Sequence, residues 1–341
     1  MNYLFLLCLL VLFGCQSPGK DKNSMSLKEK LQLAQAEYNA DKSNPDLKKD
    51  YIASLVSYGD SLKKAGDITN AFRKAADAFK LDSTNYDARL FYADVLNNRP
   101  SRSFEDIAAA QRHYKWLIKK KPKSTQALVG MASTFAQQMN FEQAFQYLNQ
   151  ALRIDPKFRD AYVMKGSIYR FMGKPELAKS SYETAVQQDP TFYEGYLMLG
   201  ALYEAESNPI AIEYYRTAVQ LKPKPEVMFS LAYAYQVFEQ PGRAMSLYRR
   251  MIKLDTGYYQ ALNQIGVIKQ YNYKQLDSAI YYYESAIKSK EDFVEAWHNL
   301  GMCYEEKKDL TRAMQSYAKA LKYNPDFALS RQRADVLKYE R

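Results

Sequence analysis

The sequence predicts an all-α fold, an α-solenoid of about eight stacked helical hairpins with a capping helix at each end. Three observations predict it. An alanine recurs at Ala71, Ala110, Ala144, Ala178, Ala211, Ala244, Ala279 and Ala313, at intervals of 39, 34, 34, 33, 33, 35 and 34 residues. A period of this size marks two-helix units that bury their apolar faces only by stacking. A small residue precedes each alanine by about one helix and a turn: Gly59, Ala93, Ala132, Gly166, Gly200, Ala232, Gly266 and Gly301. Finally, Pro122, Pro156, Pro190, Pro223 and Pro325 close five of the units, because proline cannot continue a helix. Ser83, Thr256 and Glu291 stand at the other three exits.

The unit from Val294 to Pro325 is the clearest. Trp297, Leu300, Gly301 and Tyr304 fall at i, i+3, i+4 and i+7, on one face of a first helix. Gly301 leaves room on that face for a second helix, where Ala313, Tyr317 and Ala320 form the matching stripe. Lys308, Asp309 and Leu310 read as the turn between the two. This spacing resembles the tetratricopeptide repeat, W-x2-L-G-x2-Y…A-x3-F…A…P, with Tyr317 in the Phe position. The resemblance covers residues 52–327 and implies a right-handed α-solenoid that binds proteins. The second unit carries about five extra residues near Asn97 to Phe104, which predicts a longer loop.

In chain order, residues 1–14 hold an apolar run of eleven residues, Tyr3 to Phe13. It is too short to span a bilayer and fits the core of a signal peptide. Leu12-Phe13-Gly14-Cys15 resembles the lipobox of bacterial lipoproteins, which implies a lipidated Cys15; an ordinary secretory signal is the alternative. Gln16, where aspartate would imply inner-membrane retention, implies the outer membrane. The mixed Lys20-Asp21-Lys22 favours a periplasmic over a surface-exposed array. Residues 15–25 read as a polar tether. Residues 26–51 hold a helix with an apolar stripe of Leu27, Leu31, Leu33, Ala34 and Tyr38, an N-cap at Ser26, and an end at Asn44-Pro45. Residues 328–341 continue as a charged capping helix.

Composition narrows the function. Many of the 30 tyrosines occupy repeat positions, so they read as packing between helices. The net charge is +10, yet its one dense run, Lys115 to Lys123, sits at a helix end, where the dipole favours cations. No nucleic-acid motif accompanies it, so no nucleic-acid partner is expected. The only histidines are His113 and His298, and Cys303 is the one cysteine beyond the first fifteen residues. No metal-ligand spacing and no set of nucleophile, base and orienting acid is present. Neither a cofactor nor an enzymatic activity is expected.

The resemblance also places a ligand groove on the first helices. Its positions are Val129 and Ser133; Val163, Ser167, Arg170 and Phe171; Leu197 and Glu204; Phe229, Tyr233 and Gln236; Asn263, Gln270 and Tyr271; and Glu295, His298, Met302 and Glu305. The Lys, Asn and Arg set with which chaperone-binding repeats hold an acidic tail is missing. Phe171, Leu197, Phe229, Tyr233 and Tyr271 are either binding anchors or side chains buried by neighbouring repeats. The expected function is a protein-binding scaffold of the cell envelope. The alternative is a structural or self-assembling subunit of an envelope machine, with the oligomeric state open.

Overall fold

The computed structural model describes residues 24–339. The expected signal peptide, Cys15 and nearly all of the tether lie outside the described residues. Among the described residues there are eighteen α-helices and no strand. They form two compact units that meet in sequence between Pro156 and Lys157.

Unit 1 holds α1 (Leu27–Ala40), α2 (Pro45–Lys64), α3 (Ile68–Leu81), α4 (Tyr86–Asn98), α5 (Phe104–Lys120), α6 (Thr125–Gln137) and α7 (Phe141–Ile154). α1 starts with a capping box. The Ser26 hydroxyl accepts from the Glu29 amide at 3.2 Å, and the Glu29 carboxylate accepts from the Ser26 amide at 2.8 Å. Its Leu31 and Ala34 are buried, with Leu31 packed beside Ile52 and Leu55 of α2. Asn44 caps α2, which begins at Pro45 and not near 52. Proline suits a first helical position, where its missing N–H has no intrahelical partner to lose. The pairs α2–α3, α4–α5 and α6–α7 are the hairpins. Arg99 to Ser103 is the longer loop of the second hairpin.

Unit 2 holds α8 (Arg159–Phe171), α9 (Pro175–Gln188), α10 (Tyr193–Ala205), α11 (Ala211–Leu221), α12 (Pro225–Val237), α13 (Pro241–Leu254), α14 (Tyr259–Tyr271), α15 (Leu276–Ser289), α16 (Val294–Glu306), α17 (Leu310–Tyr323) and α18 (Ala328–Tyr339). α8 to α17 are five hairpins. α18 buries Ala334 and Leu337 against the last of them and exposes Arg331, Asp335 and Lys338. A polar outer face of this kind ends a repeat stack without inviting another.

One packing device recurs. A tyrosine of the second helix lies over the small residue of the first. A Cβ at Gly301 would come within 2.5 Å of the Tyr317 ring, and one at Gly200 within 2.6 Å of the Tyr215 ring. Tyr182, Tyr283 and Tyr317 are buried in this way, over Gly166, Gly266 and Gly301, and Tyr114 is buried against Gly130 of the next first helix. The turn inside every hairpin but α4–α5 passes through a left-handed residue: Gly66, Met139, Gly173, Ser207, Glu239, Lys274 or Lys308. Only two of these are glycine, so the other five carry a conformational cost that the flanking packing offsets.

Candidate functional site

The first helices present one side chain stripe in each unit. Its members stand one and four or five residues after the small residue, and three before it. In unit 1 this stripe is closed by polar contacts between successive first helices. Lys63 of α2 reaches Asp94 of α4 at 2.6 Å. Asn97 of α4 is fully buried and donates to the Ser133 hydroxyl of α6 at 3.0 Å, while Gln137 donates to the Asn97 amide oxygen at 3.1 Å. Val129 is half-buried beside them. Satisfied polar groups of this kind fix the packing of neighbours and leave little to offer a ligand.

In unit 2 the tyrosines of the second helices deliver their hydroxyls to the stripe. Tyr215 donates to Glu204 at 2.8 Å, Tyr248 to Gln236 at 3.4 Å, Tyr283 to Gln270 at 2.8 Å and Tyr317 to Glu305 at 2.7 Å. Burial raises the pKa of each of these phenols, and at Tyr215 the Glu204 carboxylate adds to the effect. They remain neutral donors in the folded chain, and the acceptors they hold are oriented from below.

The expected groove residues separate into three groups. Phe171, Tyr233 and Tyr271 are 66%, 40% and 45% exposed, and Arg170 is exposed beside Phe171. Val163, Leu197, Phe229, Gln236 and Met302 are half-buried. Phe229 lies parallel to Tyr233 at 6.4 Å between ring centroids and also contacts Tyr248 and Tyr258. Asn263 and His298 are drawn inward. Asn263 is buried and accepts from Asn299 at 3.0 Å. His298 has its Nδ1 3.0 Å from the Ser330 hydroxyl of α18, with the Phe327 ring edge-on at 5.6 Å. Burial lowers the His298 pKa, and Arg333 adds to the shift. At the last hairpin, therefore, the capping helix covers the stripe.

Outside this stripe the structure holds little reactive chemistry. Cys303 is buried, and desolvation pushes its thiol up to about 12, far from a neutral-pH nucleophile. Among the described residues no group of three or more metal-capable side chains converges. No described helix is long and apolar enough to cross a membrane.

A model of the tetratricopeptide repeat matches residues 294–327, and one of a tetratricopeptide repeat-like domain matches residues 53–192. The chain belongs to the tetratricopeptide repeat family. It is 36% identical over 84 residues to the tetratricopeptide repeat domain-containing protein PYG7 of Arabidopsis thaliana, a chloroplastic protein. That match covers 25% of this chain and 28% of the relative. It is 24% identical over 200 residues to the protein O-mannosyl-transferase TMTC3 of Homo sapiens, covering 56% of this chain and 21% of the relative. The chain thus spans about a quarter of the length of these curated relatives. Its fold is similar to the crystal structure of the C-terminal part of a repeat-containing protein from Cytophaga hutchinsonii. There the TM-score is 0.55 at 20% identity, over 71% of this chain and 98% of that one. Tetratricopeptide repeat arrays serve as scaffolds for protein–protein interaction, and this chain carries that architecture.

The stripe residues four places after the small one carry most of its polar contacts; Glu204, Gln270 and Glu305 are among the expected groove positions, whereas Lys63 and Asn97 of unit 1 are not. The periodicity that located Gly301 also locates them. Their role depends on which neighbour they meet, and no spacing within one unit reports that.

Proposed function

We propose that this chain is a non-enzymatic adaptor of the bacterial cell envelope that grips a segment of a partner protein on the stripe of unit 2. One observation carries the reading: Phe171, Tyr233 and Tyr271 stand exposed on first helices, at positions where unit 1 has hydrogen-bonded polar side chains. Large exposed rings on packed helices suit anchoring of an apolar segment, since few side chains gain more from desolvation at an interface. The lipobox-like sequence supports attachment of Cys15 to the outer membrane, with the array facing the periplasm. The buried thiol of Cys303 and the absence of a converging polar triad in the sequence favour binding over turnover.

The test is in-cell crosslinking and affinity capture of the tagged full-length chain from solubilised envelopes, read by mass spectrometry. We expect a reproducible partner crosslinked within residues 160–271. The double substitution Phe229→Ala with Tyr233→Ala should lose that partner while keeping the helical circular dichroism. Capture unchanged by the double substitution would remove the groove from the reading. Crosslinks only between copies of the chain would replace it with a self-assembling subunit. Membrane fractionation of Cys15→Ser tests the anchor separately, with release from the membrane fraction expected.

A further inference from the structure

The stripe contacts follow a pattern with exceptions. In five of the eight hairpins the residue four places after the small one meets a polar side chain of the next first helix or of α18. In unit 1, Lys63 meets Asp94 and Asn97 meets Ser133. In unit 2, Gln236 meets Gln264 at 3.3 Å and Gln270 meets Glu306 at 2.5 Å. Glu305 accepts from Nε of Arg333 at 3.2 Å. Gln264 and Arg333 occupy the same place, the sixth residue of α14 and of α18.

Ala136, Arg170 and Glu204 fall outside the series, and Glu204 is the one carboxylate among them. Its carboxylate has the same support from below as Glu305, since Tyr215 donates to one oxygen at 2.8 Å and Tyr317 donates to Glu305 at 2.7 Å. Both tyrosines lie over a glycine of the same hairpin, Gly200 and Gly301. The sixth residue of α12, however, is Ser230, too short to do what Arg333 does. Among the described residues Glu204 has no ion pair. The next stripe residue of α12 is Tyr233, exposed, which holds toward Glu204 the same register place that Ser133 holds toward Asn97 and Asp94 toward Lys63. A carboxylate oriented by a phenol and bordered by an open ring is left where, at Glu305, the chain itself supplies a guanidinium.

We propose that Glu204 and the Tyr233 ring receive a cationic side chain of the partner segment, an arginine in particular, and that Arg333 on Glu305 is the intramolecular copy of this contact. Arginine fits because its planar fork bonds a carboxylate and stacks on an aromatic face at once. The assignment rests on the reading that the unit 2 stripe binds a protein segment, and it adds the chemistry of that segment. Arg170, on the stripe of the preceding first helix, makes no side-chain ion pair or hydrogen bond among the described residues and is the competing internal cation.

The labelled full-length chain in detergent is applied to an array of short synthetic peptides of varied composition. Each arginine peptide is paired with its citrulline twin, which keeps shape and loses charge. We expect arginine enrichment among bound peptides. Glu204→Gln should lower binding of arginine peptides about tenfold, the scale of a charged hydrogen bond, and bring them level with their citrulline twins. Peptides without a basic residue should be unaffected. Arg170→Ala should leave arginine binding intact or tighten it. Arginine preference that survives Glu204→Gln overturns the inference. So does equal loss in Glu204→Gln and Arg170→Ala, which would make the two an internal pair. Peptides bound without basic preference, yet lost in Phe229→Ala with Tyr233→Ala, overturn the inference and leave the groove standing. No peptide bound by the parent chain overturns both.

Discussion

The stripes of the two units are built from the same repeat positions and differ in what their side chains meet. In unit 1 the polar groups meet each other: Lys63 meets Asp94, and Asn97 is shared between Ser133 and Gln137. In unit 2 several polar groups also meet across neighbours, as Asn263 does with Asn299 and Gln270 with Glu306, but phenols hold the stripe from below and Phe171, Tyr233 and Tyr271 stand exposed along it. Polar contacts of this kind spend hydrogen-bonding capacity on register between neighbours. The exposed rings keep apolar area for something else. The repeat fixes where the side chains stand; the identity of each residue decides which use the stripe serves.

The contrast is broken most severely at Asn97. Asn97→Leu removes a buried amide and leaves the Ser133 hydroxyl and the Gln137 amide without it. The expected loss is about 3 kcal/mol, read from urea unfolding, with partner capture unchanged in a partly denatured-corrected comparison. Gly301→Ala tests what the two units share. The new Cβ would collide with the Tyr317 ring, and overpacking of this kind costs about 2 kcal/mol. Thermal unfolding should show it, while a substitution of exposed Gly242, which has open space around it, should not.

The two histidines report on the units separately. Burial, then Arg89 and Arg112, lowers His113 to about 4; burial and Arg333 lower His298. A histidine depressed in the folded state is protonated first in the unfolded one, so stability falls as pH drops below 6.5. For His113 that loss continues down to about 4; the full shift would amount to about 3 kcal/mol, and solvent screening of the half-buried ring brings it to on the order of 2 kcal/mol. Proton NMR has only two imidazoles to assign, and both should titrate below the ordinary value. A His113 midpoint near 6.5 would mean that its site is open to water. The smallest effect on stability belongs to Phe171→Ala, within about 0.5 kcal/mol of zero because the ring is largely exposed. Its effect should appear in partner capture instead, which would sharpen the assignment of unit 2 as the binding region.

Much of this fold is legible in the sequence because its rules are local. Gly301 and Tyr317 declare each other by spacing, since a close helix approach requires the small residue and a ring fills the space it leaves. Pro325 marks the exit, and the extra residues after Asn97 appear as the loop Arg99 to Ser103. The start of α2 is less legible, because Asn44-Pro45 reads as the end of one helix and also serves as the start of the next. Exposure on the stripe is not local. Asn263 and Tyr271 both occupy stripe positions of α14, yet Asn263 is buried under Asn299 and Tyr271 is open. His298 is covered because α18 happens to carry Ser330 and to follow Phe327. Each outcome is decided by a residue about one repeat away, beyond the reach of a pattern read within one helix.

The phenols over the small residues set an alkaline limit. Tyr114, Tyr215, Tyr248, Tyr283 and Tyr317 all have their ionisation pushed upward by burial. In the unfolded chain the same groups release their protons near pH 10, so above that value the unfolded state gains about 1.4 kcal/mol per pH unit for each phenol that only it can ionise. Repeat proteins unfold by interfaces, and these five groups sit inside the hairpins that form them. A base titration followed at the phenolate absorbance should therefore show two classes of tyrosine: surface rings that ionise gradually, and packed rings that stay silent until the hairpins open and then ionise together.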